Sequence, residues 1–382
     1  MSAPEVAQAA PKKRLVSLDA MRGANMFFIM GGSTLIALIM TTFWPDAPWA
    51  QWIAGQMEHV DWHGFAHHDS IFPTFLFIAG CAFPFSYAGQ IARGRSKARI
   101  AAKVIFRGLI LVLLGIIYNN GINFDFANLR YASVLGHIGL GWMFAALLYL
   151  IFGGEKGAGA RWFFLVLILV GYWMMLRFIS VPGHEGADPY SIEGSLVSYI
   201  DQKYLPGVLH QGIFDPEGIL STIPAIGTAL LGIFTGEWLR RNGTDQDGWK
   251  KFFKLVIFGA LFVALGLVWD KSFPINKKLW TSSFVCFVAG CDMIALAIFY
   301  AVIDVIGWRC WAFPFVVIGM NSITIYLAQQ FINFGYTRDY FFRNIIALAS
   351  EKWQPILTSC AGIFVLWIFL YMLYRYKAFF KV

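Results

Sequence analysis

A chain of 382 residues with 58% hydrophobic side chains, only 14% charged ones and a mean hydropathy of +0.61 is not a soluble globular domain. Such a domain carries about a quarter charged residues. The formal net charge is +8, but the basic residues fall in alternate gaps between apolar runs, which is the pattern of membrane topology and excludes a nucleic-acid footprint.

The polar stretch 1–13 reads as a cytoplasmic tail that ends in Lys12-Lys13, with Arg14 opening the membrane core 14–382. No small-residue cleavage site follows, so the first apolar run is expected to stay as a helix rather than to be removed as a signal peptide. Apolar runs of span length then recur to the end of the chain, and no polar segment is long enough for a soluble domain. The expected fold is all-α and polytopic, one domain over 1–382 with about ten transmembrane helices. These are placed at 20–43, 71–91, 100–118, 133–152, 162–179, 220–239, 255–268, 282–305, 313–334 and 356–374.

Of the 30 Lys and Arg residues, 21 fall on the side that holds the N-terminus, which is therefore predicted to be cytoplasmic. Both termini are then cytoplasmic, and the gap after the first helix lies outside, in the periplasm of a bacterium or the lumen of an organelle. Three external segments are long enough to build a site: 44–69, 180–219 and 335–355. The middle one is rich in Gly and Pro and reads as irregular loop.

The first external segment ends in Glu58-His59-Val60-Asp61-Trp62-His63-Gly64, followed by His67, His68 and Asp69 just before an apolar span. A histidine there can accept a proton near neutral pH or carry an acyl group, and Glu58, Asp61 or Asp69 can orient one of its ring nitrogens. A merely solvated polar loop is the bland alternative. The histidine and carboxylate spacings match no standard metal motif, so no metal is expected. The five cysteines (Cys81, Cys286, Cys291, Cys310 and Cys360) lie in or beside apolar runs without a CxxC spacing and read as small packing residues.

Two further groups stand out. Asn25, His137, Asp292 and Asn321 fall inside spans, where polar groups are costly and face a cavity or a partner. Trp44, Trp49, Trp52, Trp62 and Trp280 crowd the external mouth, as interfacial anchors or as platforms for a sugar ring.

Several short stretches, in order along nearly the whole chain, carry a resemblance. They are Ser17-Leu18-Asp19 with Arg22-Gly23; His59 through Trp62 with Gly64; Asp69 with Phe72-Pro73; Phe75 through Gly80; Arg130 with Val134-Leu135; Asp215-Pro216-Glu217-Gly218; Ile275 through Thr281; Asp304-Val305; and Gly319 through Ile323. In these the chain resembles the transmembrane heparan-alpha-glucosaminide N-acetyltransferase family, and in particular its bacterial NagX-type relatives without the luminal domain of the animal enzymes. An asparagine of the family falls at Ser33.

The resemblance implies an acyltransferase. It would move the acetyl group of acetyl-CoA from the cytoplasmic side to the amino group of a glucosamine-type sugar or glycan on the periplasmic or luminal side. His59 would be acyl carrier or general base, with Asp69 beside it. Asp19, Arg22, Arg130 and Asn321 would line the acetyl-CoA path, and Asp61, Trp62 and Trp280 would meet the acceptor. A homodimer embedded in lipid, in a bacterial inner membrane, is the expected setting. An amino-sugar transporter and an O-acetyltransferase of a cell-envelope glycan fit the same ten-helix pattern.

Overall fold

The computed structural model describes residues 15–123, 125–154, 156–241 and 248–380, the side chain of Arg241 excepted. The tail expected over 1–13, Arg14 and Lys381 lie outside the described residues. In chain order the helices are α1 (Val16–Phe27), α2 (Ser33–Phe43), α3 (Pro48–Gly55), α4 (His67–Ala92), α5 (Lys97–Tyr118), α6 (Val134–Ile151), α7 (Ala158–Phe178) and α8 (Leu196–Tyr204). Then follow α9 (Thr222–Arg241), α10 (Gly248–Asp270), α11 (Ser282–Tyr300), α12 (Phe313–Met320), α13 (Ser322–Phe331), α14 (Phe334–Ala347) and α15 (Gln354–Arg375). Among the described residues there is no β-strand, only an isolated bridge between Arg130 and Gly207.

Nine helical spans among the described residues are long and apolar enough to cross a membrane, and the pair α12 and α13 makes a tenth, bent by 61° at its break. A bilayer offers backbone groups no hydrogen-bond partner, so each crossing is helical. The first span is interrupted: α1 and α2 are joined by a π-helical turn, Phe28–Gly32, in which Gly31 takes φ 113°. An unbroken helix was expected there. The break at Asn321 likewise divides the ninth predicted span. All three external segments contain helices that periodicity did not reveal: α3 within 44–69, α8 within 180–219 and α14, which enters 335–355 from Phe334.

Enclosed and lipid-facing helices alternate. α4, α6, α9 and α11 are mostly buried and form the centre, whereas α5, α7, α10 and α15 expose most of their apolar surface. The central helices approach closely through glycine. Gly80 of α4 lies against the backbone of Ala229, and Gly232 and Gly236 of α9 lie against the backbone of Phe77 and Cys81, where a side chain would collide. Gly23 of α1 and Gly319 of α12 meet in the same way.

Two faces result. At one, Ser17 N donates to Asp304 Oδ2 (3.2 Å) and Asn321 Nδ2 donates to Ala378 O (3.3 Å), which brings the start of α1, the end of α11 and the C-terminal segment together. At the opposite face the 56–66 loop, the 271–281 loop and the segment before α9 converge, tied by Gly64 N donating to Ile275 O (2.8 Å) and Trp62 Nε1 donating to Tyr190 O (2.8 Å).

Candidate active site

α4 begins one turn earlier than its apolar run, at His67, and this places Asp69 in its first turn. From there Asp69 Oδ2 accepts the backbone N–H groups of Ala66 (3.2 Å), a donor that a helix start leaves unsatisfied, and of Val60 (3.3 Å) in the preceding loop. Its other oxygen, Oδ1, lies 2.7 Å from His59 Nδ1. A carboxylate only accepts, so Nδ1 carries the hydrogen, and in the neutral ring the lone pair is on Nε2. The His59 side chain is half exposed. His68 packs edge-on against the His59 ring, with centroids 4.4 Å apart, and its Nδ1 is hydrogen-bonded to Ser33 Oγ (3.0 Å).

The 271–281 loop adds an amine. Asp270 Oδ1 accepts Ile275 N (2.6 Å), Asn276 Oδ1 accepts Leu279 N (2.9 Å) and Thr281 Oγ1 accepts Asn276 N (3.0 Å), which fixes a tight turn over Asn276–Thr281. That turn points Lys277 Nζ to 3.2 Å from His59 Nδ1, 3.5 Å from Nε2 and 3.6 Å from Asp69 Oδ1. Burial pulls the Lys277 amine below the ordinary lysine range, against the opposing pull of Asp69 and Glu217. Lys278 Nζ donates to Asp61 O (2.6 Å) and its ammonium lies 5.9 Å from the Trp62 ring centre.

A second charged group sits at the same face. Arg130 grips Asp215 with two hydrogen bonds, Nε to Oδ2 at 2.7 Å and Nη2 to Oδ1 at 2.6 Å, and also pairs with Glu217. Asp215 Oδ2 further accepts His210 N (3.1 Å). Burial raises the pKa of the Glu217 carboxyl, and Arg130 opposes that rise.

A cavity of about 460 Å³ runs inside the bundle between these faces. Arg22, Lys103, Arg107, Gln90 and Asn321 line it near the chain-end face, Met26, Ile29 and Phe75 line its apolar middle, and it reaches Phe72, Leu135 and Tyr326. Phe72 is one helical turn along α4 from Asp69, so the cavity ends beneath the His59 group. Arg107 Nε is buried and has no hydrogen-bond partner among the described residues, while its guanidinium lies over the Trp142 ring at 4.8 Å. A polyanion with an apolar arm suits such a lining: cations at one end, an unfilled buried donor, and apolar walls beyond.

The expected site residues therefore divide between the two ends. His59 and Asp69 meet at one. Arg22 and Asn321 line the other, where Asp19 is buried beside Arg22 (3.3 Å). Arg130, expected along the acetyl-CoA path, lies at the His59 face, held by Asp215 and Glu217. Asp61 is exposed on the loop that carries His59. Trp62 is half-buried, its edge on Phe214 at 5.4 Å. Trp280 departs from its expected place at an open mouth. It is 1% exposed, donates to Thr228 Oγ1 (3.1 Å) and packs between Phe72 and His137, so neither face of its ring is open to a sugar.

Sequence reasoning assigned no role to Lys277 or Glu217, although both lie in stretches that carried the resemblance. The signal for Lys277 was an adjacent lysine pair on the side otherwise poor in cations. Asp292, inside its span, is bonded to Thr74 Oγ1 at 2.6 Å, and that hydroxyl also lies 2.8 Å from Ser70 O.

No protein-family model matches the chain. It is similar to "Heparan-alpha-glucosaminide N-acetyltransferase" from Homo sapiens, 29% identical over 422 aligned positions that cover 97% of this chain and 60% of that protein. It is similar also to the protein of the same name from Mus musculus, 26% identical over 438 positions that cover 99% of this chain and 63% of that one. The chain thus spans less than two thirds of the length of these curated relatives.

Proposed function

We propose, from the premise that this chain is a homologue of the heparan-alpha-glucosaminide N-acetyltransferases, that it is a transmembrane acetyltransferase which passes the acetyl group of acetyl-CoA to the amine of a glucosamine-type sugar on the opposite side of the membrane. The observation that carries the reading is the cavity, with cations at one end and the His59–Asp69 pair one turn beyond the other.

The chain-end face is the cytoplasmic one in this reading, since it gathers most of the basic residues. Arg22, Lys103 and Arg107 meet the phosphates of acetyl-CoA, with Arg107 Nε as an available buried donor. The pantetheine arm lies along the apolar middle of the cavity, and the thioester faces the His59 group. The His59 face is then periplasmic or luminal, and the acceptor sugar arrives there from water.

His59 supplies the reacting nitrogen. Asp69 fixes the tautomer in which Nε2 is free, so Nε2 either attacks the thioester carbonyl and carries the acetyl group or takes the proton of the acceptor amine. Moving an acetyl group from a thioester to an amide is downhill, so no ion gradient is needed to drive the transfer. Asp61 and Trp62 are the acceptor-facing residues, one exposed and one presenting part of an indole at the mouth.

The test is an assay of purified protein in detergent with acetyl-CoA labelled in the acetyl group and glucosamine as acceptor, with His59→Ala alongside. Labelled N-acetylglucosamine from wild type and not from the variant is the expected result. Equal turnover by the two proteins, or none by wild type, overturns the reading.

A further inference from the structure

We propose that Lys277 is a second base of this site, taking the proton of the acceptor ammonium while His59 carries the acetyl group. The assignment rests on the transferase reading above. It starts from a limit in the geometry. With Nδ1–H committed to Asp69, His59 has one free lone pair, at Nε2. A ring that bears an acetyl group on Nε2 has no lone pair left to receive a proton. An amino sugar, meanwhile, reaches neutral water as an ammonium, which is not a nucleophile. A base beside Nε2 that takes this proton supplies the free amine where it reacts.

Lys277 Nζ is that neighbour, 3.5 Å from Nε2 and mostly shielded from solvent. The groups that face it are Asp69 in the first turn of α4, His59 on the 56–66 loop, Glu217 from the segment before α9, and Lys278 next in the chain. His68 stands behind the His59 ring, and Glu58 and Asp61 flank it on its own loop. Burial favours the neutral amine, the form a base requires, and a lysine can be shifted far enough for this role.

The steps balance. Nε2 bonds the acetyl carbon, the C–S bond breaks, and CoA leaves as a thiolate that takes one proton from the water on its side. The acceptor R–NH3⁺ then gives a proton to Lys277 Nζ and becomes R–NH2. Its nitrogen bonds the acyl carbon and the C–Nε2 bond breaks, returning a neutral imidazole. The remaining extra proton, acidic once the nitrogen is bonded to the acyl carbon, leaves to water. Lys277 then loses its proton to the mouth.

The experiment compares wild type, Lys277→Arg and Lys277→Met with two acceptors: glucosamine, an ammonium at neutral pH, and O-methylhydroxylamine, which is already the free base there. Release of CoA from acetyl-CoA in the absence of acceptor is measured as a single burst. The expected result is that both variants keep the burst and lose about a hundredfold or more in transfer to glucosamine. With O-methylhydroxylamine they stay within about threefold of wild type, because that acceptor needs no base. Equal slowing with both acceptors overturns the proposal, since it marks a positioning role only. So does full activity of Lys277→Arg with glucosamine, since arginine keeps the charge and cannot act as the base. Loss of the burst in the variants overturns it too, because Lys277 then serves the first step. If wild type releases no CoA without acceptor yet acetylates glucosamine, the transferase reading stands and this assignment falls; if it also acetylates no glucosamine, both fall.

Discussion

Asp69 binds His59 Nδ1 with one carboxylate oxygen and the start of its own helix with the other. A single side chain thus couples the orientation of the imidazole to the folding of the loop that carries it. An amide cannot do both. If the amide of an Asp69→Asn variant keeps its carbonyl oxygen on Nδ1, its NH2 group faces two backbone N–H donors. If it turns over, Nδ1 loses its acceptor. Asp69→Asn is expected to lower acetyl transfer by about a hundredfold or more, the range for a misdirected acid–base group. The melting temperature should fall modestly, because a lost helix cap costs about 1 kcal/mol. Steady-state kinetics and a thermal melt on one preparation check both; an unchanged rate would contradict the tautomer argument.

The basic end of the cavity makes a prediction about the donor alone. Arg107→Ala removes a cation and a buried donor from the wall without touching the His59 group. The KM for acetyl-CoA should rise about tenfold, the effect of losing roughly 1.4 kcal/mol of binding. kcat at saturating donor should stay near wild type. The salt dependence of KM should also weaken, since one fewer charge meets the phosphates.

The approach of α1 and α12 predicts a packing defect. A Cβ on Gly319 would enter the backbone of Asp19, so Gly319→Ala must push the two helices apart. That separation widens the cavity wall formed by Arg22, Gly319 and Asn321. Overpacking of this kind costs about 1–3 kcal/mol. The variant should melt earlier in detergent and bind acetyl-CoA more weakly, measured by thermal shift with and without donor.

Much of this was legible in the chain, and the failures have physical causes. His59 and Asp69 stood out because titratable groups gathered beside a span are rare. The first turn of α4 was missed because His67, His68, Asp69 and Ser70 are polar, so the apolar run begins only at Ile71. Lys277 was passed over because its contact with His59 spans 218 residues and depends on the Asn276–Thr281 turn, which periodicity does not encode. Trp280 looked like an interfacial ring, yet it takes φ 52° and folds inward under that same turn. α8 lay hidden in a Gly- and Pro-rich segment, although Ser195 caps it by accepting Ser198 N at 3.2 Å.

The segment before α9 carries a pH prediction. Asp201 of α8 accepts Ile219 N (2.9 Å) with Oδ1, and burial pushes its carboxyl up to about 7. The unfolded chain ionises this group near pH 4, whereas the folded chain keeps its proton until about pH 7. Between those values the native state binds more protons than the unfolded one, so stability falls as pH rises through this window. Asp201→Asn retains the acceptor oxygen and cannot ionise. Its melting temperature should vary less than that of wild type between pH 5 and 8 and exceed it above pH 7. Parallel melts across that range test this.

Passage of the acetyl group from the cavity end to the His59 end is read out in sealed proteoliposomes of one orientation. Labelled acetyl-CoA is supplied outside, at the chain-end face, with glucosamine trapped inside. The expected result is labelled N-acetylglucosamine in the lumen for wild type, none for His59→Ala, and no acetyl-CoA inside. Product that forms only on the donor side, or equal luminal product from His59→Ala, would contradict it.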